Sequence, residues 1–203
     1  MSMCVGSMRG WPVPGNSLDQ AVLDEMVSLR TPWITDVVTV VTHFGDTIVA
    51  TAITVAVVLT LMRRGRALDA VMVGGAMASG FLLMSGLKLV FGRERPPVPV
   101  RLVEEITHSF PSGHAMMSAI LVCVVGAVLA RGSGRLRPIV VAGLALWTIA
   151  IGLSRVYLAA HWFTDVLAGW ALGIVWAAVW IVGTARYGRS RDASGESDEK
   201  ATP

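Results

Sequence analysis

The chain has 203 residues, of which 54% are hydrophobic and only 15% charged, with a mean hydropathy of +0.63. Soluble domains carry charge on about a quarter of their residues, so these values exclude a water-soluble globular domain and leave a polytopic membrane protein. The net charge of +3 does not signal a nucleic-acid partner, because the arginines sit in short connections between apolar runs, a pattern that membrane topology explains.

Residues 1–16 hold Gly, Pro and Ser without an apolar core of leader length, so a flexible tail and no cleavable leader are expected there. Three early methionines (Met1, Met3, Met8) leave the translation start open. The two cysteines, Cys4 and Cys123, make no disulfide or metal framework. From Leu18 the apolar positions Leu18, Ala21, Val22, Met26 and Leu29 recur at helical spacing among Asp19, Asp24 and Glu25. That pattern predicts an amphipathic helix on the cytoplasmic surface, ending near Thr31-Pro32.

Six membrane spans are expected to follow. The first, Trp33–Phe44, is short and carries Asp36, so it borrows length from the amphipathic stretch. The turn His43-Phe44-Gly45-Asp46 leads into a second span at Asp46–Met62. The others are Ala67–Phe91, Gly113–Ala130, Ile139–Leu153 and Phe163–Ala185. The tail, residues 188–203, is polar and mixed in charge and is expected to be disordered. The fold class is all-α: one six-helix membrane bundle over residues 17–187, with an amphipathic N-terminal helix.

Arginine placement orients the bundle. The connections at 63–66 and 131–137 each hold three arginines and no acid, and Arg186, Arg189 and Arg191 open the tail. Six spans would put these regions and both termini in the cytoplasm of a cell-membrane protein, with connections 92–111 and 154–162 together outside. Trp33, Trp162 and Tyr187 fall near span ends, as interfacial aromatics do. Small residues four apart (Gly75 and Ser79, Ala76 and Gly80, Gly169 and Gly173) permit close helix approach, within the bundle in preference to a homo-oligomer contact. There is no internal repeat of the kind that inverted transporters show.

The two outward connections gather unusual chemistry. His161 and Asp165 are i,i+4, a spacing that on one helix lets a carboxylate accept the imidazole Nδ1–H and leaves Nε2 free as nucleophile or base. Arg155 adds a forked cation suited to phosphate. The bland reading of this stretch is a capped turn with an interfacial salt bridge. Lys88 and Arg95 lie two helical turns apart, and Gly92-Arg93-Glu94-Arg95-Pro96 puts cations where positive-inside logic discourages them. Pro111-Ser112-Gly113-His114 opens an apolar helix with an N-cap serine, a glycine admitting close approach, and a histidine within reach of a bound anion. Glu104 and Glu105 read as a solvated loop in preference to a cation site. With no metal-ligand set, the cations point to a phosphate held without a metal.

Lys88-x6-Arg95-Pro96, Pro111-Ser112-Gly113-His114 and Ser154-Arg155-x5-His161-x3-Asp165 together resemble the three-part signature of the type 2 phosphatidic acid phosphatase family. The resemblance implies His161 as a nucleophile forming a phosphohistidine and Asp165 as its orienting carboxylate. It implies His114 as the acid for the leaving oxygen and then the base for water. Lys88, Arg95, Ser112, Gly113 and Arg155 would hold the phosphoryl oxygens, with no metal or other cofactor. His43 and His108 match no part of it and read as interfacial or turn residues. The implied substrate is a lipid phosphate or diphosphate in the bilayer. Bacterial relatives of this layout incline the expectation to undecaprenyl diphosphate, with phosphatidic acid or phosphatidylglycerol phosphate as alternatives. A vanadium haloperoxidase relative and a non-catalytic lipid-phosphate binder are the rival classes.

Overall fold

The structure, a computed structural model, describes residues 15–132, 135 and 137–200. Nearly all of the expected flexible segment 1–16, with Cys4, lies outside the described residues. Seven α-helices follow one another: α1 (Ser17–Ser28), α2 (Pro32–His43), α3 (Thr47–Arg63), α4 (Ala67–Phe91), α5 (Gly113–Ala130), α6 (Arg137–Tyr157) and α7 (Phe163–Lys200). A single 3-10 turn, Val98–Val100, interrupts the α4–α5 connection, and no strand forms among the described residues.

Local signals account for the helix limits. Asn16 and Asp19 form a reciprocal capping box on α1, with Asp19 N–H donating to Asn16 Oδ1 at 2.8 Å. Pro32 starts α2 at a position where its fixed φ suits a first turn. Gly92 closes α4 in the left-handed region at φ 55°, as helix-ending glycines do. The core lies between α4, α5 and α7, where Met72, Val73, Ala76, Met116, Ile120, Val124 and Ala177 are fully buried. The small residues serve this packing. A Cβ at Gly75 would fall 2.2 Å from the Trp180 ring, and one at Gly173 2.6 Å from the Met116 carbonyl. Ser79 Oγ accepts from the indoles of Trp176 at 3.1 Å and Trp180 at 3.0 Å.

The span count departs from six. Four helices (α4, α5, α6 and residues 163–191 of α7) are each long and apolar enough to cross a bilayer. α2 and α3 pass that test only as a pair, bent by 43° at the break between them, so they continue one another and supply at most one broken fifth span. The cause is the short α2, whose Asp36 is exposed and whose end is followed directly by α3 after Phe44-Gly45-Asp46. α7 differs too. It runs on as helix to Lys200, where disorder was expected from Gly188, because extending an existing helix costs far less than nucleating one.

The two ends of the described chain also lie apart. Arg66 and Arg131 both pair with Asp69, tying the α3–α4 and α5–α6 connections together at one end of the bundle. The C-terminal part of α7 arrives at that end, where Tyr187 and Arg191 line a cavity with Leu68. α1 sits at the opposite end. Leu23 packs on Ala159 and Trp162, and Asp19 accepts from the Thr164 N–H at 2.8 Å. Both expectations for the N-terminal segment therefore change: α1 does not share an end with the arginine-rich connections, and Val22, Leu23, Met26 and Val27 pack on protein while Leu18, Ala21 and Leu29 stay exposed. Trp162, expected at an interface, is buried beneath it with its indole donating to the Glu94 carbonyl at 2.9 Å.

Candidate active site

The α6–α7 connection forms the floor of the site. α6 ends at Tyr157, and Ala159 takes a left-handed φ of 53°, which costs an L residue about 1 kcal/mol or more. This tight reversal, with the Ala160 and His161 N–H groups both donating to the Arg155 carbonyl, turns His161 inward to 2% exposure. His161 thus lies in the turn before α7, not on a shared helix with Asp165. Its Nδ1 is 3.6 Å from Asp165 Oδ2, longer than a hydrogen bond. Ser109 stands between them, its Oγ 3.5 Å from Nδ1 and donating to Asp165 Oδ2 at 2.5 Å. On the other side of the ring, Arg95 Nη1 lies 3.2 Å from Nε2. An arginine can only donate, so Nε2 carries the lone pair and Nδ1 the proton. Burial, and then the charges of Arg95, Arg155 and Lys88, hold the His161 pKa well below its ordinary value, so the ring is neutral.

Asp165 performs two jobs. In the first turn of α7 its Oδ2 accepts the Trp162 N–H at 3.0 Å, the backward half of a capping box, so the capped turn is real as well. Its Oδ1 accepts from Arg93 Nη1 at 2.5 Å. Arg93 Nη2 in turn donates to Asp19 Oδ2 at 2.6 Å, and Asp19 also accepts from the Thr164 hydroxyl at 2.8 Å. Asp19 and Asp165 are both fully buried, one guanidinium serves both, and Arg93 itself is 8% exposed. Sequence reasoning singled out neither Arg93 nor Asp19 for this. The available signal was an aspartate in the apolar stripe of α1 and an arginine on the wrong side for topology.

The expected phosphate ligands are drawn to the same place. Lys88 Nζ donates to the His108 carbonyl at 2.8 Å, and Arg95 Nε to the Thr107 carbonyl at 2.7 Å. Burial lowers the Arg95 pKa to about 10, which leaves it charged at neutral pH. Arg155 Nη1 donates to Thr42 Oγ1 at 2.9 Å, and its buried Nε has no partner. Glu105 bridges the two arginines, one carboxylate oxygen on Arg155 and the other 3.4 Å from Arg95 Nη2. It is no solvated loop residue. Ser112 stands at the N-cap of α5, yet its hydroxyl caps nothing; it is buried and unpartnered, while its N–H donates to the Asp165 carbonyl at 3.0 Å. A polar atom so placed is available to a ligand.

His114, in the first turn of α5, meets a residue that no motif or periodicity connects with it. Its Nε2 lies 3.0 Å from Asp46 Oδ1, and Asp46 Oδ2 lies 3.0 Å from His43 Nδ1. Asp46 sits at the α2–α3 break, so the bend brings a carboxylate to His114. His43 ends α2 with its ring on Asp46, and His108 is an exposed loop residue at the edge of the cavity, its carbonyl accepting from Lys88.

His161, His114, Lys88, Arg95, Glu105 and Gly113 line one end of a cavity of about 980 Å³; Ser112 and Arg155 are buried beside it. The cavity descends between α3 and α4 past Met84, Phe81, Met77 and Ala50 to Gly74, an apolar trough below a cationic mouth. Phe81, Leu82 and Leu89 are 41%, 70% and 78% exposed on its rim, so the trough opens sideways, toward lipid.

Comparison with known proteins agrees with this geometry. The chain is 30% identical to phosphatidylglycerophosphatase B of Bacillus subtilis over 164 residues, covering 78% of this chain and 79% of that protein. The crystal structure of a transmembrane PAP2 type phosphatidylglycerolphosphate phosphatase from Bacillus subtilis superposes with a TM-score of 0.76 at 29% identity, over 83% of this chain and 85% of that one. LpxE of Aquifex aeolicus shares the fold, with a TM-score of 0.68 at 21% identity, over 84% of this chain and 99% of that one. Residues 69–189, more than half of the chain and all three signature segments, match the PAP2 superfamily. The protein belongs to that superfamily and is a membrane lipid phosphatase.

Proposed function

We propose that the protein removes the terminal phosphate of a membrane lipid through a phosphohistidine at His161. The observation that carries this reading is the Nε2 lone pair of a neutral, buried imidazole, 3.2 Å from Arg95 at the cationic mouth of an apolar trough. In the first step Nε2 attacks phosphorus, the bond from phosphorus to the lipid oxygen breaks, and His114 gives its proton to that oxygen. In the second, His114 takes a proton from water, the water oxygen attacks phosphorus, and the P–N bond breaks to release inorganic phosphate. Asp165, with the Ser109 hydroxyl between it and Nδ1, balances the charge that forms on His161. Lys88, Arg95, Arg155, Ser112 and the free amides of α5 from Gly113 onward hold the phosphoryl oxygens, and these cations make a metal unnecessary.

The lipid we favour is phosphatidylglycerol phosphate, on the likeness to the Bacillus subtilis enzymes. One observation favours the longer undecaprenyl diphosphate as a second reading. The trough follows α4 from Lys88 to Gly74, fourteen residues or about 21 Å at the helical rise. That exceeds half of a hydrocarbon core about 30 Å thick. Both lipids, with phosphatidic acid, should be offered side by side to detergent-solubilised protein in EDTA. Phosphate release from one lipid, lost in His161→Ala, is expected; release that needs an added metal or survives the substitution refutes the mechanism.

Five crossings, with α2 and α3 as one broken span, fit the separation of the chain's two described ends. The positive-inside rule assigns the Arg63–Arg66 and Arg131–Arg137 end to the cytoplasm. The site, with α1 beside it, then faces outward and α7 ends inside. This replaces the arrangement with both termini in the cytoplasm.

A further inference from the structure

Glu105 stands where the proposed reaction needs an empty anion seat. Its carboxylate engages Arg155 and Arg95, two of the cations assigned to the phosphoryl oxygens, and it lines the cavity beside His161 and His114. A phosphate that uses those donors must first take them from Glu105. The side chain can leave: it is 25% exposed, and its neighbours Glu104, Ile106, Thr107 and His108 are all exposed. The seat is therefore held by a single negative charge on a partly exposed side chain, which can swing outward while the backbone beside it stays bonded to Lys88 and Arg95.

That charge matters because of what surrounds the trough. A membrane presents phosphodiester headgroups in great excess over any phosphomonoester, and both can offer oxygens to a guanidinium. They differ in charge. A monoester carries about −1.5 to −2 at neutral pH, whereas a diester has one ionisable oxygen. We propose that Glu105 is a specificity residue, its carboxylate excluding singly charged diester phosphates of bulk lipids while yielding to the more highly charged monoester. The discrimination comes from competition for the same donors and needs no contact with the glycerol, prenyl or acyl part of the lipid. It rests on the assignment of Arg95 and Arg155 to the phosphoryl oxygens.

Two small probes isolate the charge. Monomethyl phosphate and dimethyl phosphate are used as inhibitors of lipid-phosphate hydrolysis by the full-length protein, wild type, Glu105→Gln and Glu105→Asp. Wild type is expected to bind the monoester at least tenfold better than the diester, Glu105→Asp to keep most of that gap, and Glu105→Gln to narrow it severalfold or more by gaining affinity for the diester. A parallel arm adds phosphatidylglycerol to the mixed micelles at constant substrate mole fraction, which should inhibit Glu105→Gln far more than wild type. An unchanged diester affinity in Glu105→Gln overturns the inference while leaving the site intact. Wild type with no preference for the monoester overturns it without recourse to any variant. If neither probe competes with substrate in wild type, the phosphate seat itself has been assigned wrongly and the inference falls with it.

Discussion

Asp19 offers the sharpest test of how α1 contributes, because an asparagine there keeps the shape and removes the charge. In the structure Asp19 accepts four hydrogen bonds, from Arg93 Nη2, the Thr164 N–H, the Thr164 hydroxyl and, at 3.3 Å, the Asn16 N–H. It is fully buried, so Asp19→Asn leaves Arg93 with half of its counter-charge and no water to replace it. Removing one partner of a buried ion pair costs about 3–5 kcal/mol. At about 2–4 °C per kcal/mol for a chain of this size, melting should fall by roughly 6–20 °C. Arg93 is also what holds Asp165 Oδ1, so the guanidinium will follow its remaining carboxylate and loosen the orientation of Asp165. The loss of one charge-assisted hydrogen bond's worth of transition-state support, about 1.5–3 kcal/mol, corresponds to a fall in kcat of roughly 10- to 100-fold. Because Asp19 lies outside the cavity wall, KM should change little. The assays are a thermal melt in detergent and initial rates below the melting range. A variant that melts within about 2 °C of wild type with kcat within twofold would refute the coupling, as would a rise in KM at constant kcat.

Other outcomes follow from the same geometry. His161→Ala should abolish turnover, and His114→Ala nearly so, with retained binding of inorganic phosphate to show that the fold survives. Asp46→Asn should lower kcat about tenfold or more through His114, and a rate unchanged from wild type would remove the α2–α3 break from the chemistry. Stability should fall as pH drops below about 6.5, because the unfolded chain then binds a proton that neutral, buried His161 refuses in the native state. His161→Asn should flatten that dependence in thermal melts between pH 7.5 and 5.5. For topology, single cysteines in a background lacking Cys4 and Cys123 should report the sides. Ser17→Cys and Ile106→Cys should react with an impermeant thiol reagent on intact cells, and Arg64→Cys only after lysis; Ser17→Cys behaving like Arg64→Cys would restore an even number of crossings.

The limits of α4 and α5 match the apolar runs at Ala67–Phe91 and Gly113–Ala130, since an uninterrupted run bounded by Gly, Pro or Arg leaves little freedom of reading. The convergence of the three signature segments was also legible, because spans of that length force their connections to alternate ends. The N-terminal region was not. Twelve apolar-leaning residues with one aspartate are compatible with a half-span, a surface helix or a cap over the site, and only tertiary partners choose. Asp19 finds Arg93, 74 residues away, and Asp46 finds His114, 68 away; no local periodicity encodes either contact. Glu105 was misread for a related reason: a glutamate in a polar loop looks solvated until the two arginines facing it are placed. Ser112 shows the converse, a good capping residue that caps nothing.

The close fit of α7 on α5 has a mechanical consequence. A Cβ at Gly169 would fall 2.8 Å from the Ser112 carbonyl and 3.0 Å from Ala115 Cβ, so the first turns of the two helices that carry Ser112, His114 and Asp165 ride as one solid piece. α3, across the trough, meets α4 without such an interlock; a Cβ at Gly74 would reach Val58 at 3.5 Å, an ordinary van der Waals contact. Bilayers of different thickness are accommodated by helix tilt. Tilt will therefore be taken up by α3, altering the width of the trough and the lipids it admits, while the spacing of the reacting groups stays fixed. Membrane composition can tune which chains enter without retuning the chemistry at the mouth.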